Sequence, residues 1–175
     1  LPNHECEREP AFEHYPVLPI LERGGFRVTV LAGAFAGMRS PARVFTPLVG
    51  LDLASTVGAR TELPLDPAFE YAAVTLEGEP AVDGEALAAG TLLYLGPGRA
   101  ALAVDCAAAS RLLLIGGEPF GEDLLLWWNF VARTREEMET ATRDWNQGRR
   151  FGKVQGARAA PLVAPDIESL RPRGT

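Results

Sequence analysis

The chain has 175 residues, 47% apolar and 23% charged, enough to bury the core of one full-sized domain and marginal for two. A net charge of −6 excludes a surface built from clustered basic residues to hold nucleic-acid phosphates. No apolar run nears the ~18–20 residues that span a bilayer, and the opening LPNHECEREP lacks the apolar heart of a signal peptide. Only His4 and His14 represent histidine, which leaves no material for a histidine-rich metal centre. Cys6 and Cys106 are far apart with no C-x-x-C; one disulfide is conceivable, but such sparse usage reads as reduced thiols in an intracellular protein. Lys153 is the only lysine, and with the abundant alanine this points to a GC-rich coding genome. The chain starts at Leu1 and not Met, as a processed product, a fragment or part of a longer protein would.

Residues 1–22 carry Pro2, Pro10, Pro16 and Pro19 without periodicity, an extended arm or linker. Within it His4, Glu5, Cys6 and Glu7 crowd together, but ligands on a loose arm would have to be ordered by the metal itself, so a solvated linker is the simpler account. Residues 23–132 read as a β-barrel. Phe26, Val28, Val30 and Ala32 alternate with Arg27, Thr29 and Leu31, the period of a strand with one buried face. Further strands are expected at Val44–Leu53, Phe69–Leu76, Thr91–Leu95, Leu102–Cys106 and Arg111–Ile115, with glycines between them and Asp83-Gly84 as a tight hairpin turn. That pattern predicts an all-β antiparallel sandwich or barrel. Gly96-Pro97-Gly98-Arg99-Ala100-Ala101 matches the dinucleotide fingerprint G-x-G-x-x-A, yet only about ten residues separate it from the next strand, too few for a crossover helix. A proline–glycine turn is the simpler reading.

Residues 133–158 hold one C-terminal α-helix and a turn. Thr134 and Glu137 form a capping-box pattern; Met138, Ala141 and Trp145 share a face; Glu139 and Arg143 are spaced for an ion pair; Gly148 suits the left-handed position after the helix. Residues 159–175, with Pro161, Pro165 and Pro172, read as a surface-hugging or disordered tail. Trp127, Trp128, Asn129, Phe130, Trp145, Arg149, Arg150 and Phe151 concentrate large aromatics and arginines. They would pack the helix onto the barrel's outer face, form an interface for another domain, or do both. Phe69, Tyr71 and Tyr94 are candidates for a ligand-holding barrel lumen. No G-x-S-x-G, P-loop or H-E-x-x-H occurs, so no catalytic residue is assigned.

Gly116-Gly117-Glu118-Pro119, Trp127-Trp128-Asn129-Phe130-Val131, Asp144-Trp145 and Gly148-Arg149-Arg150-Phe151-Gly152 resemble the C-terminal half of the pirin family. Leu1-Pro2, Leu31-Ala32-Gly33, Ser40-Pro41 and Thr46-Pro47-Leu48 are similar to it in the same order. The resemblance implies a cupin-type β-barrel, one of a pair, with iron held by three histidines and a glutamate of an N-terminal cupin that this chain lacks. It further implies either an iron-dependent flavonol (quercetin) dioxygenase, as in bacterial pirins, or a nuclear co-regulator, as in eukaryotic ones; the acidic, GC-rich chain fits a bacterial cytoplasmic protein better. The cupin motif G-x5-H-x-H-x3,4-E, counted from Gly58, places Pro64 and Asp66 where histidines belong and Glu70 at the glutamate. The second motif, counted from Gly96, places Ala101 at the last ligand. The site is therefore degenerate: no metal or cofactor is expected on this chain, with iron only in the N-terminal cupin. The expected partner is that cupin or a second protein chain, with no nucleic acid and no membrane. A non-enzymatic interaction module and a small-molecule-binding barrel are the alternatives.

Overall fold

A computed structural model describes residues 1–6, 8–9 and 11–167. Glu7 and Pro10 of the expected arm and residues 168–175 of the expected tail, Pro172 included, lie outside the described residues. In chain order the strands are β1 (Ile20–Arg23), β2 (Phe26–Phe35), β3 (Met38–Arg39), β4 (Leu48–Pro64), β5 (Glu70–Glu77) and β6 (Ala81–Val82), then β7 (Glu85–Ala86), β8 (Leu92–Gly96), β9 (Ala101–Gly117), β10 (Leu125–Trp127) and β11 (Phe130–Ala132). One helix, α1 (Arg135–Asn146), follows them. The chain divides into two compact units, Leu1–Pro119 and Phe120–Thr175.

The first unit is an antiparallel sheet in the order β1-β2-β4-β9-β5-β8, with β3 on β2 and the β6–β7 hairpin on β9. Its frame is the pair β4 and β9, each 17 residues long and paired from Leu48↔Gly117 through to Pro64↔Ala101. The two strands expected at Leu102–Cys106 and Arg111–Ile115 are thus one, and β4 continues well past Leu53. Residues 56–58 and 107–109 are exposed on both faces, while the flanking halves turn the same parity inward, so the pair curls around the core. At the curl the Ser55 hydroxyl donates to Val57 O (2.7 Å) and the Ser110 hydroxyl to Ala108 O (3.2 Å), satisfying backbone acceptors locally.

Alternation fills the interior as the strand period requires. Phe26, Val28 and Val30 of β2, Leu51, Leu53 and Leu63 of β4, and Leu102, Val104, Leu112 and Leu114 of β9 are all fully buried. Each such side chain contributes roughly 1.5–3 kcal/mol by leaving water. After Val30 the β2–β4 register shifts, so the expected inward place of Ala32 passes to Gly33 and Phe35. Asp83 and Gly84, at φ 49° and 83°, form the two-residue turn between β6 and β7. The strand β9 begins directly at Ala101, so no helix follows the Gly96-Pro97-Gly98 turn and the dinucleotide match has no structural counterpart. Cys106 is buried, Cys6 is exposed, and no disulfide joins them.

The boundary at residue 132 moves. Residues 120–132 leave the large sheet, and β10 and β11 pair with each other through a turn at Trp128 and Asn129. Likewise the arm gives way to strand before residue 22, because β1 pairs along β2 from Ile20. In the second unit the capping box is complete: Glu137 N donates to Thr134 Oγ1 (3.1 Å), and the Glu137 carboxylate accepts from the N–H groups of Arg133 (2.8 Å) and Thr134 (3.3 Å). Glu139 pairs with Arg135 at 2.9 Å, one turn before it, and not with the expected Arg143. Gly148 is left-handed at φ 66° after the helix. No helix among the described residues is long and apolar enough to cross a membrane.

Candidate functional site

One end of the first unit opens into a cavity of about 610 Å³. Its floor comes from core positions that alternation turns inward: Val49 and Leu51 on β4, Tyr71 on β5 and Leu114 on β9. Phe35 and Phe69 add to its apolar lining, while Arg39 and Asp66 are its charged residues. Two local devices hold the rim. The Ser40 hydroxyl donates to Leu31 O (2.8 Å) and accepts from Ala42 N (3.1 Å), fixing the chain where β3 ends. Across from it, Asp66 Oδ1 accepts from Ala68 N (2.9 Å), closing a turn that leads into β5.

Tyr71 ties floor to rim. Its hydroxyl accepts from Asp66 N (2.9 Å) and donates to Asp66 O (3.3 Å), and burial pushes the phenol above its ordinary pKa, so it stays neutral. Phe69 lies 6.1 Å from it, centroid to centroid. Two of the expected lumen residues, Phe69 and Tyr71, therefore line the cavity. Tyr94 does not: on β8 the inward positions are Leu93 and Leu95, and Tyr94 projects outward, 61% exposed, donating to Glu70 Oε2 (2.7 Å). That bond to a carboxylate raises its pKa.

The four positions counted from the cupin motifs lie at the end of the β4–β9 ladder, at the cavity rim and on β5. Pro64 and Ala101 are cross-strand partners at the end of the β4–β9 ladder. Asp66 stands at the rim, two residues on, with one oxygen committed to its own turn. Glu70 occupies the face of β5 opposite Tyr71 and holds Tyr94. These residues do not fit an iron centre: they supply no imidazole, and their carboxylates belong to different faces. Among the described residues no three of His, Cys, Asp and Glu are grouped to hold a metal ion. Arg39 and Phe35 were not marked by the sequence pattern, because a two-residue strand and a bulged one carry too little periodicity to reveal a face.

The aromatic residues assemble inside the second unit. Trp128, Phe130, Trp145 and Phe151 contact one another with centroids 5.4–6.3 Å apart, mostly edge to face. The Arg150 guanidinium lies 5.5 Å from the Phe151 ring, while Arg149 and Asn129 are exposed. Trp127 donates to Pro165 O (3.4 Å), Trp145 to Leu162 O (2.7 Å), and the Asn146 amide brackets the Ala164 backbone. The aromatics thus seat α1 on β10, β11 and the following segment, and Ala164 and Ile167 are buried with them. The three tryptophans remain only partly buried, and Leu126 and Val131, cross-strand partners, stand 71% and 64% exposed.

A family model described as the Pirin C-terminal cupin domain matches residues 50–152. The "Putative quercetin 2,3-dioxygenase PA1205" of Pseudomonas aeruginosa is 42% identical over 168 residues, 95% of this chain and 53% of its own length. A pirin-like protein of Caulobacter vibrioides is 32% identical over 152 residues, 85% of this chain and 52% of its own. The crystal structure of a quercetin 2,3-dioxygenase from Acinetobacter baumannii superposes with a TM-score of 0.89 at 41% identity, covering all of this chain and 57% of that one. The chain spans about half the length of the relatives it matches.

Proposed function

Because the chain belongs to the pirin family, as its C-terminal cupin domain, we propose that it is the supporting half of a two-barrel protein of the quercetin dioxygenase type. Iron and substrate oxidation belong to an N-terminal cupin, and this barrel carries no metal. The observation that carries this reading is the fate of the ligand positions: Pro64 and Ala101 close a ladder, Asp66 closes a turn, and Glu70 faces outward to hold Tyr94. Each is engaged in the fold and not poised around a common point.

The partner is the iron-bearing cupin, and the exposed pair Leu126 and Val131 beside the half-buried tryptophans supports contact with another domain. The same pair favours a second reading, a pirin-like regulatory module that binds another protein without catalysis. The acidic charge supports a cytoplasmic setting. The test compares this chain alone with its complex with an N-terminal cupin, scoring iron by metal analysis and oxygen consumption with quercetin. The expected result is one iron and oxygen uptake in the complex, and neither in the chain alone. Stoichiometric iron on the isolated chain would overturn the metal-free assignment. A complex that binds iron but never consumes oxygen would favour the regulatory reading.

A further inference from the structure

The cavity at the open end of the barrel has a chemistry of its own, independent of any iron in another domain. Its volume of about 610 Å³ lies within the ~300–1,000 Å³ range of small-molecule sites. Among the described residues its polar side chains are Arg39, Asp66 and Tyr71. The Tyr71 hydroxyl is spent on both the N–H and the carbonyl of Asp66. One Asp66 oxygen is spent on Ala68 N. The Arg39 guanidinium makes no hydrogen bond or ion pair with any described residue, although it stands in a largely apolar lining that includes Phe35, Val49, Leu51, Phe69 and Leu114.

We propose that this cavity binds a small amphipathic monocarboxylate, with its apolar body inside the barrel and its carboxylate on Arg39. A planar guanidinium offers two parallel N–H donors that match a carboxylate, and such charge-assisted bonds are the strong ones. The floor sets the rest of the specificity. A hydroxyl carried down to the floor would find no free side-chain partner among Val49, Leu51, Tyr71 and Leu114 and would lose its bonds to water without replacement, so polyhydroxylated rings are disfavoured. A second carboxylate would meet the charge of Asp66, so dicarboxylates are disfavoured. This ligand class therefore differs from the flavonol of the dioxygenase reading, and the site gives the metal-free barrel a binding function separate from support.

The test uses the 175-residue chain without metal, titrated with 2-naphthoate, 2-naphthylmethanol, naphthalene-2,6-dicarboxylate and quercetin. Calorimetry measures affinity, and methyl NMR of Val49, Leu51 and Leu114 locates the ligand. The expected result is saturable 1:1 binding of 2-naphthoate that shifts those methyls, with the alcohol, the dicarboxylate and quercetin each weaker. Arg39→Gln should weaken naphthoate by about tenfold or more, the scale of a hydrogen-bonded charge pair. Arg39→Lys should recover part of the loss, which separates lost charge from misfolding. Ala34→Trp, at an exposed rim position opposite Arg39 in the β2–β3 ladder, should block entry. Equal binding of acid and alcohol, an undiminished Arg39→Gln variant, or no shift of the floor methyls would each overturn the assignment. None of these measurements involves iron or oxygen, so failure here leaves the dioxygenase reading untouched, and the reverse holds too.

Discussion

Gly116 is a position where the barrel leaves no room for a side chain, and Gly116→Ala tests why. A Cβ built there would lie 2.3 Å and 2.6 Å from two carbons of the Tyr71 ring and 2.8 Å from Glu70 O. Carbon atoms in contact sit about 3.5–4.0 Å apart, so the ring must retreat by more than an ångström. It cannot do so cheaply, because its hydroxyl is tied to both backbone groups of Asp66. Overpacking of this kind costs about 1–3 kcal/mol, and loosening the paired hydrogen bonds adds about 1 kcal/mol, which gives an expected loss near 3 kcal/mol. The measurement is urea unfolding followed by far-UV circular dichroism, to which the barrel strands contribute most. In a Tyr71→Leu background the clash with the ring disappears and only the Glu70 carbonyl remains, so the same substitution should then cost about 1 kcal/mol, a coupling of roughly 2 kcal/mol. A Gly116→Ala midpoint indistinguishable from the parent would refute the reasoning. So would an equal cost in both backgrounds, since the ring would then not be the obstacle.

Thr75 is buried with a hydroxyl that has no hydrogen-bond partner. Thr75→Val keeps the shape and removes the orphan, so it should raise stability by about 1 kcal/mol, read as a higher urea midpoint. Thr134→Ala removes the N-cap acceptor of α1 and should cost about 1 kcal/mol, visible in the tryptophan fluorescence of the second unit. Backbone N–H bonds from Arg133 and Thr134 hold the Glu137 carboxyl below its ordinary pKa. Its contribution is therefore complete above the ordinary glutamate range and is lost as pH falls through the lowered folded value; Glu137→Gln should flatten that acid limb of the fluorescence-monitored stability curve. Arg111 and Asp52 form an exposed two-bond pair across the sheet (2.9 Å and 2.8 Å), and Arg111→Met should shift the unfolding midpoint only slightly, with the difference vanishing in molar salt.

What the sequence made legible were features whose chemistry is local. The capping box at Thr134 and Glu137 and the turn at Asp83-Gly84 each need only neighbouring residues to be understood, and both are present as the spacing demands. The inward faces of Phe26 to Val30, and of the two halves of β4 and β9 on either side of their exposed middles, follow from alternation. Legibility failed where alternation carries no face. Leu92-Leu93-Tyr94-Leu95 is apolar at every position, so nothing in the run says that Tyr94 points outward; pairing with β5 decides it. The middle of β4 and β9, with Gly58 and Ala107 to Ala109, reads as a break because its side chains are small, yet the backbone ladder continues through it. The hairpin at 125–132 falls inside the range expected for the barrel because three-residue strands are too short to show their allegiance. Arg39 is silent for the same reason.

The ligand positions and the cavity have one physical cause in common. A cupin that holds iron must leave polar groups at the barrel mouth uncommitted to the fold so that they can converge on the ion. Here the groups at those positions are committed: Asp66 organises the turn that seats Tyr71, and Glu70 reaches away to Tyr94. With those polar groups serving the wall, the lining of the cavity is mostly apolar, with Arg39, Asp66 and Tyr71 as its polar side chains among the described residues. The apolar part of such a lining does not need water to satisfy it and stays favourable for an apolar guest. The engagement of Asp66 and Glu70 in the fold and the largely apolar lining of the cavity thus rest on the same set of hydrogen bonds, with Arg39 and Asp66 as the two charges at its mouth.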